Sequence, residues 1–203
     1  MVRRTKEEAL ETRSRIMDAA VDVFFERGVA NATLNDIATR AEVTRGAIYW
    51  HFKNKLDVFD ALHDQLQLSF ADTILGDLRN DHPHPLLQLE RLCSDLLIDL
   101  ETNQYKFKVL SILFFKCDYT GEMEHFLNLQ NARKKKNTEL FSEYFTRAKK
   151  HKHLSADVDP TVLSMALMAY ITGIVVDYLR DANGIVMSEH APKFMRFFFR
   201  NLA

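Results

Sequence analysis

Residues 44–55 read Thr44-Arg45-Gly46-Ala47-Ile48-Tyr49-Trp50-His51-Phe52-Lys53-Asn54-Lys55. Three aromatic side chains, an arginine, a histidine and two lysines crowd into twelve residues. Thr44 is a favoured N-cap, because its hydroxyl accepts from an unpaired N–H in the first turn of a helix. A helix starting there puts Ile48 and Phe52, four residues apart, on one face. Gly46 and Trp50 lie on the other. The apolar face needs something to pack on, and the preceding residues supply it. Thr33 and Asp36 have the spacing of a capping box, with Asp in place of the usual Glu or Gln. Leu34, Ile37, Ala38 and Ala41 then form the inner stripe of a second short helix. The turn Glu42-Val43 joins the two, which is the helix-turn-helix arrangement. Upstream, Ile16, Ala20, Val23 and Phe24 repeat at helical spacing, so a supporting helix is expected over 7–27, ended by Gly28.

The rest of the chain continues the helical pattern. Six glycines and four prolines are few breakers for 203 residues. Helices are expected at 55–79, 85–101, 104–117, 121–150, 160–181 and 190–202. The expected fold class is all-α, about nine helices. A helix-turn-helix DNA-binding domain is expected over 1–55, and a larger helical domain over 56–203. The latter carries far more apolar surface than a DNA module needs. Its last helix holds Phe194, Met195, Phe197, Phe198 and Phe199 and is apolar nearly all round, so it must be covered on two sides. One side meets its own subunit, and the other is expected to meet a second copy. Ile171, Ile174, Val175 and Tyr178 make a neighbouring stripe. A homodimer through the last two helices follows.

Net charge is −1, so the chain as a whole is no polycation. The first 55 residues carry ten Lys+Arg against eight Asp+Glu, and the remainder carries 17 against 20. This modest excess allows a DNA-facing N-terminus. Cys93 and Cys117 stand far apart, with neither metal spacing nor a disulfide framework. The N-terminus lacks the apolar core of a signal peptide, and no uninterrupted apolar run approaches ~20 residues. A cytoplasmic protein without membrane association is expected. No nucleophile–base pairing and no glycine-rich phosphate loop appears, so neither enzyme activity nor a cofactor is expected. His82/His84 and His151/His153 are spaced i, i+2, which on a helix does not converge side chains. They are read as solvated loops, with no metal site.

The chemistry of the motif is recognition of double-stranded DNA. Arg45 sits in the first helical turn, where its guanidinium can take guanine O6 and N7 together. Gly46 lets backbone approach the bases. Free N–H groups at helix starts suit phosphate oxygens. Thr33, Thr44, Tyr49, His51 and Lys55 add side-chain phosphate contacts. Asn35 in the first turn of the second helix and exposed Trp50 join the DNA-facing set, as does the basic arm Arg3-Arg4.

Taken together, Thr33 to Lys55 resembles the DNA-binding domain of the TetR family of transcriptional repressors. The N-terminal Val-Arg-Arg-Thr-Lys-Glu-Glu-Ala and the stretch Phe115 to Met123 further resemble the AcrR/TtgR-type regulators of multidrug efflux. The resemblance implies that Tyr49 and His51 hold phosphates and that Arg45, Gly46 and Ala47 read bases. It implies that Lys55 anchors the start of the fourth helix on the DNA backbone. It also implies a pocket among helices 4 to 8 for a hydrophobic inducer, so that residues 56–203 form a ligand-binding and dimerisation domain. Leu66, Phe70, Leu92, Cys93, Leu96, Leu110, Phe114, Met168, Ile171, Thr172 and Val175 are the candidates for its wall. Leu110 and Phe114 are apolar where those relatives carry polar residues, so a smaller or greasier cavity is expected. The function implied is a dimeric, ligand-released repressor of an efflux pump. The alternative is a TetR-type regulator that senses a metabolite or fatty-acyl ligand and is not linked to efflux.

Overall fold

The computed structural model describes residues 6–200 and 202. Arg3 and Arg4 of the expected basic arm lie outside the described residues. Nine α-helices and one short 3-10 turn make up the described secondary structure. In chain order these are α1 (Lys6–Arg27), α2 (Leu34–Arg40), α3 (Arg45–His51), α4 (Lys55–Leu78), α5 (Pro85–Thr102), α6 (Gln104–Phe115), α7 (Glu124–Lys150), α8 (Pro160–Arg180) and α9 (Met187–Phe199). The all-helical expectation is met. The chain divides into two compact units, one of residues 1–66 and 108–127, the other of residues 67–107 and 128–203.

The first unit holds α1, α2 and α3, the start of α4 and the segment from α6 into α7. Ile16, Phe24, Ile37, Ile48, Phe59 and Phe126 are fully buried there. Phe59 meets Phe126 edge-on at 4.9 Å and Phe24 at 6.3 Å. Edge-to-face rings at these distances gain from their quadrupoles as well as from buried area. Gly28 ends α1 with φ +77°, a left-handed conformation that a side chain resists. The next residue, Val29, donates its N–H to the carbonyl of Lys116 at 3.0 Å. Lys108 donates to Asp22 at 2.6 Å, tying α6 to α1.

In the second unit α5 packs along α9. Leu89 and Leu97 of α5 and Met187, Ala191 and Met195 of α9 are buried. The C-terminal end of α4 is closed by side chains from elsewhere. Gln88 donates to the carbonyls of Asp77 and Asn80, and Arg147 to that of Leu78. Tyr144, itself buried, donates its hydroxyl to Asp77 at 2.7 Å. Last-turn carbonyls have no partner within the helix, so these contacts satisfy groups that would otherwise be stranded.

α9 begins three residues before the sequence expectation, at Met187. The reason is non-local: Glu101 accepts from the N–H groups of Met187 and Ser188 at 3.1 and 2.9 Å. A carboxylate at that end also favours the helix dipole. α8 is long and apolar enough to cross a membrane by length and composition. Ser164, Tyr170, Thr172 and Gly173 interrupt its apolar run, so it does not read as a continuous apolar stretch in the sequence.

Candidate nucleic-acid interface

The geometry of α2 and α3 is set by their ends. Thr33 caps α2 by accepting from the N–H of Asp36 at 3.1 Å, while Asp36 accepts from the N–H of Thr33 at 3.0 Å. The capping box is therefore closed in both directions. The Thr33 hydroxyl also donates to Asp36 at 2.7 Å, and Arg27 donates to its other oxygen at 2.7 Å. Hydrogen bonding from the Thr33 hydroxyl is the largest cause holding the Asp36 carboxyl below its ordinary range; the Thr33 N–H and Arg27 add to it. Thr44 caps α3 by accepting from the N–H of Ala47 at 3.1 Å. At the start of α4, Asn54 accepts from the N–H of Asp57, and Asp57 from that of Lys53, both at 2.9 Å.

The turn between α2 and α3 is a Schellman closure. Val43 donates to the carbonyl of Ala38, and Glu42 to that of Thr39. Glu42 stands where glycine is usual, at φ +53°. Its carbonyl and that of Ala41 both accept from Arg15 of α1, at 3.2 and 2.7 Å. Sequence reading missed Arg15. No local pattern announces it, because its partners lie beyond the helix that carries it.

α3 sorts its residues as the 3.6-residue period demands. Ile48 and Phe52 are buried. Arg45, Gly46, Tyr49 and Trp50 are exposed, and Ala47 and His51 are half-buried. Trp50 is 72% exposed, which assigns it to the outward face rather than to packing. The Arg45 guanidinium lies 5.5 Å from the Tyr49 ring centre, a cation–π contact that pre-orders both side chains. His51 meets Trp50 edge-on at 4.5 Å. Arg13 of α1, also unforeseen, sits over Phe52 at 5.1 Å. Thr33 and Asn35 are exposed at the start of α2, and Thr44 at the start of α3. Lys55 is half-buried and donates to the carbonyl of Ala30 at 2.6 Å. One of its three donors is thereby committed to the protein.

The expected pocket residues fall in both units. In the first, Leu66 and Leu110 are half-buried and Phe114 is exposed. In the second, Leu92, Cys93 and Val175 are buried, and Phe70, Leu96, Met168 and Ile171 half-buried. Thr172 is exposed. Phe70 lies 6.0 Å from the ring of Phe141. An open groove of about 640 Å³ in the second unit is formed by α4 and α7. Leu75, Leu78 and Leu140 give it an apolar floor, with Arg79, Lys136 and Arg147 among its polar walls. None of the expected pocket residues lines it.

Two capped short helices, the second carrying arginine and aromatics outward, define a helix-turn-helix DNA-binding protein that also carries a larger helical domain. Comparison with known proteins gives the family. Residues 16–62 match the tetR family of bacterial regulatory proteins. Residues 84–203 match the C-terminal region of the MAATS-type transcriptional repressors. This chain belongs to the TetR family of transcriptional regulators. It is 33% identical over 192 residues to the HTH-type transcriptional repressor BepR of Brucella suis biovar 1 (strain 1330), covering 95% of this chain and 92% of BepR. It superposes with a TM-score of 0.84 and 33% identity, over 98% of both chains, on NalD, the secondary repressor of the MexAB-OprM multidrug efflux pump in Pseudomonas aeruginosa. SmeT in complex with triclosan matches at 26% identity and a TM-score of 0.81, over 92% of this chain and 90% of SmeT. SmeT represses the Stenotrophomonas maltophilia efflux pump SmeDEF.

Proposed function

We propose that this chain is a cytoplasmic, dimeric repressor of a multidrug efflux pump. It binds a palindromic operator through α2 and α3 and lets go when a hydrophobic small molecule occupies the helical domain. The observation that carries this reading is the outward face of α3, where Arg45, Gly46, Tyr49 and Trp50 stand exposed on a helix whose other face is locked by Ile48 and Phe52. Arg45 to Ala47 read bases. Tyr49, His51, Thr33, Thr44 and the remaining donors of Lys55 hold phosphates, with Asn35 and Trp50 beside them.

Dimerisation supplies the second recognition helix, about 34–36 Å or a multiple away. Val162 and Met165 of α8 and Phe197 of α9 are 60%, 56% and 61% exposed in the single chain, a load of apolar surface that a second copy covers. α4 is the lever. Its first turns belong to the DNA-binding unit and its last to the second unit, so a ligand that moves it changes the recognition-helix spacing. An inducer that prefers the released form 100-fold contributes about 2.7 kcal/mol of coupling.

The test is fluorescence anisotropy with DNA from upstream of the gene itself and of any neighbouring transporter gene. Specific binding, its loss in Tyr49→Ala/His51→Ala and its reversal by triclosan are expected. Binding that is non-specific, or that survives the double substitution, sinks the reading. A second reading for the effector is an amphiphile of the fatty-acyl class, for which the α4–α7 groove offers an apolar floor and a wall that mixes Arg79, Lys136 and Arg147 with Glu139 and Glu143. Release by an acyl thioester but not by triclosan would select it.

A further inference from the structure

Four of the eight histidines come together at one end of the second unit. His82 and His84 lie in the loop between α4 and α5, and His151 and His153 in the turn after α7. Both pairs are expected in solvated loops, and the divergence of i, i+2 side chains on a helix spoke against a metal site. Neither pair is helical. Residues 151–153 end α7 in a second Schellman closure, with His153 donating to the carbonyl of Ala148 and Lys152 to that of Lys149. Lys152 takes φ +60°, and this reversal brings the rings of His151 and His153 within 5.9 Å. The ring of His84 stacks on that of His153 at 4.9 Å, and His82 follows at 6.2 Å from His84.

We propose that these four histidines form a surface site for a divalent transition-metal ion of the zinc class, bridging the α4–α5 loop and the α7–α8 turn. Imidazole is a preferred ligand for such ions and a poor one for magnesium or calcium. Zinc–nitrogen bonds of about 2.0–2.1 Å place two rings on one tetrahedral ion with centres about 5 Å apart. The His84–His153 separation of 4.9 Å matches that distance, and the other two, 5.9 and 6.2 Å, exceed it by about 1 Å. His82 is not yet prepared: its Nδ1 accepts from the N–H of His84 at 3.0 Å, which leaves the proton of the neutral ring on Nε2. Metal binding at its Nε2 requires that proton to move to Nδ1, which then faces the carbonyl of His84 at 3.0 Å.

The rings now stack face to face, at 23° for His84 with His153 and 21° for His151 with His153, so no group of three ligands is already set around a point. Turning them inward uses the χ2 torsion, which is soft for histidine. His84 and His151 are exposed and His82 and His153 half-buried, so nothing packed has to give way. The site is therefore assembled by the ion, and its affinity is set by that rearrangement.

Calorimetric titration of the full-length protein with zinc chloride, and separately with magnesium chloride, tests this. One zinc per chain, no magnesium binding, and a zinc-dependent rise in melting temperature are expected. His84→Gln/His153→Gln should weaken zinc at least tenfold and abolish the melting shift. His125→Gln, which removes an exposed histidine outside the cluster, should keep the wild-type affinity. Wild-type protein that binds no zinc, or a double variant that binds it as well as wild type, overturns the proposal. If the double variant fails to fold, His84→Gln alone carries the same test, since that loop side chain is exposed.

Discussion

The guanidinium of Arg15 donates to the carbonyl of Glu42 at 3.2 Å and to that of Ala41 at 2.7 Å, so α1 holds the turn that aims α3. Glu42 is in the left-handed region at φ +53°, which costs a non-glycine residue about 1 kcal/mol. Arg15→Ala removes the clamp and should destabilise the fold by about 1 kcal/mol, since the bonds are only partly sheltered. Its effect on operator affinity should be larger, because a loosened turn lets α3 point in many directions. At Glu42 itself, glycine should be tolerated and isoleucine should lower the urea midpoint, since a β-branched residue resists positive φ. Equal midpoints for Glu42→Gly and Glu42→Ile would show that the turn is not held in this conformation.

Asp36 gives the capping box a pH signature. Its carboxyl is held below the ordinary value of 3.8, chiefly by the Thr33 hydroxyl. A depressed folded value means that the contribution is fully present above about pH 4 and is lost as pH falls through the folded pKa. Carbon-detected NMR titration should give Asp36 a midpoint below 3.8, moving upward in Thr33→Val. An unmoved midpoint in that variant would assign the depression to Arg27 instead.

Glu101 should govern the first turn of α9. Its carboxyl is held low first by hydrogen bonding from the Ser188 side chain, then by the backbone N–H groups of Ser188 and Met187. Glu101→Ala leaves those N–H groups to water and should speed amide exchange at Met187 and Ser188 by about tenfold or more, while the buried middle of α9 stays protected. The folded pKa is again depressed, so acidification below the ordinary glutamate range should reproduce the fraying in wild type. Unchanged exchange would mean that α9 starts without its cap.

These cases separate what the sequence carries from what it does not. Thr33 with Asp36 and Thr44 with Ala47 are contacts over three residues, so the spacing alone announced them. Ile48 and Phe52 were legible because a helix of 3.6 residues per turn must put them together. Arg15 on Glu42, Glu101 on Met187 and His84 on His153 join residues far apart in the chain. No periodicity encodes such pairs, because they exist only after the helices pack. The approach of the two histidine pairs was invisible in the sequence for a related reason. An i, i+2 spacing diverges on a helix, and it was the left-handed Lys152 that turned one pair inward.

Cys117 should be chemically quiet. Burial is the largest cause that raises its thiol, to about 11, with Asp118 adding and a hydrogen bond with Tyr119 opposing. At pH 7 the reactive thiolate is then about one molecule in ten thousand, too little for a redox sensor. Cys93 is fully buried, and its thiol is pushed higher still. Thiol-disulfide reagents should label the native protein slowly, and Cys117→Ser should leave operator binding and inducer release unchanged. Fast labelling of Cys117 at pH 7 with loss of DNA binding would contradict this.

The exposed apolar stripe of α8 offers a test of the proposed dimer. Val162, Met165, Ala166, Ala169, Thr172 and Gly173 recur at helical spacing, and all are exposed in the single chain. That composition is why α8 passes for a membrane-crossing helix. It is also what a helix looks like when small residues let a second copy approach closely. Met165→Arg puts a charge on this stripe without touching the core of its own subunit. The melting of an isolated chain would therefore be unaffected. In a two-fold interface the same change occurs twice, and each unpaired charge costs about 3 kcal/mol on burial. Dimer affinity should fall by several orders of magnitude, read by sedimentation or light scattering across a concentration series. Affinity for a full palindrome should collapse to that for a half-site. Leu10→Arg, an equally drastic change at an exposed leucine of α1, should do neither. A Met165→Arg protein that still sediments as a dimer would place the interface on another face.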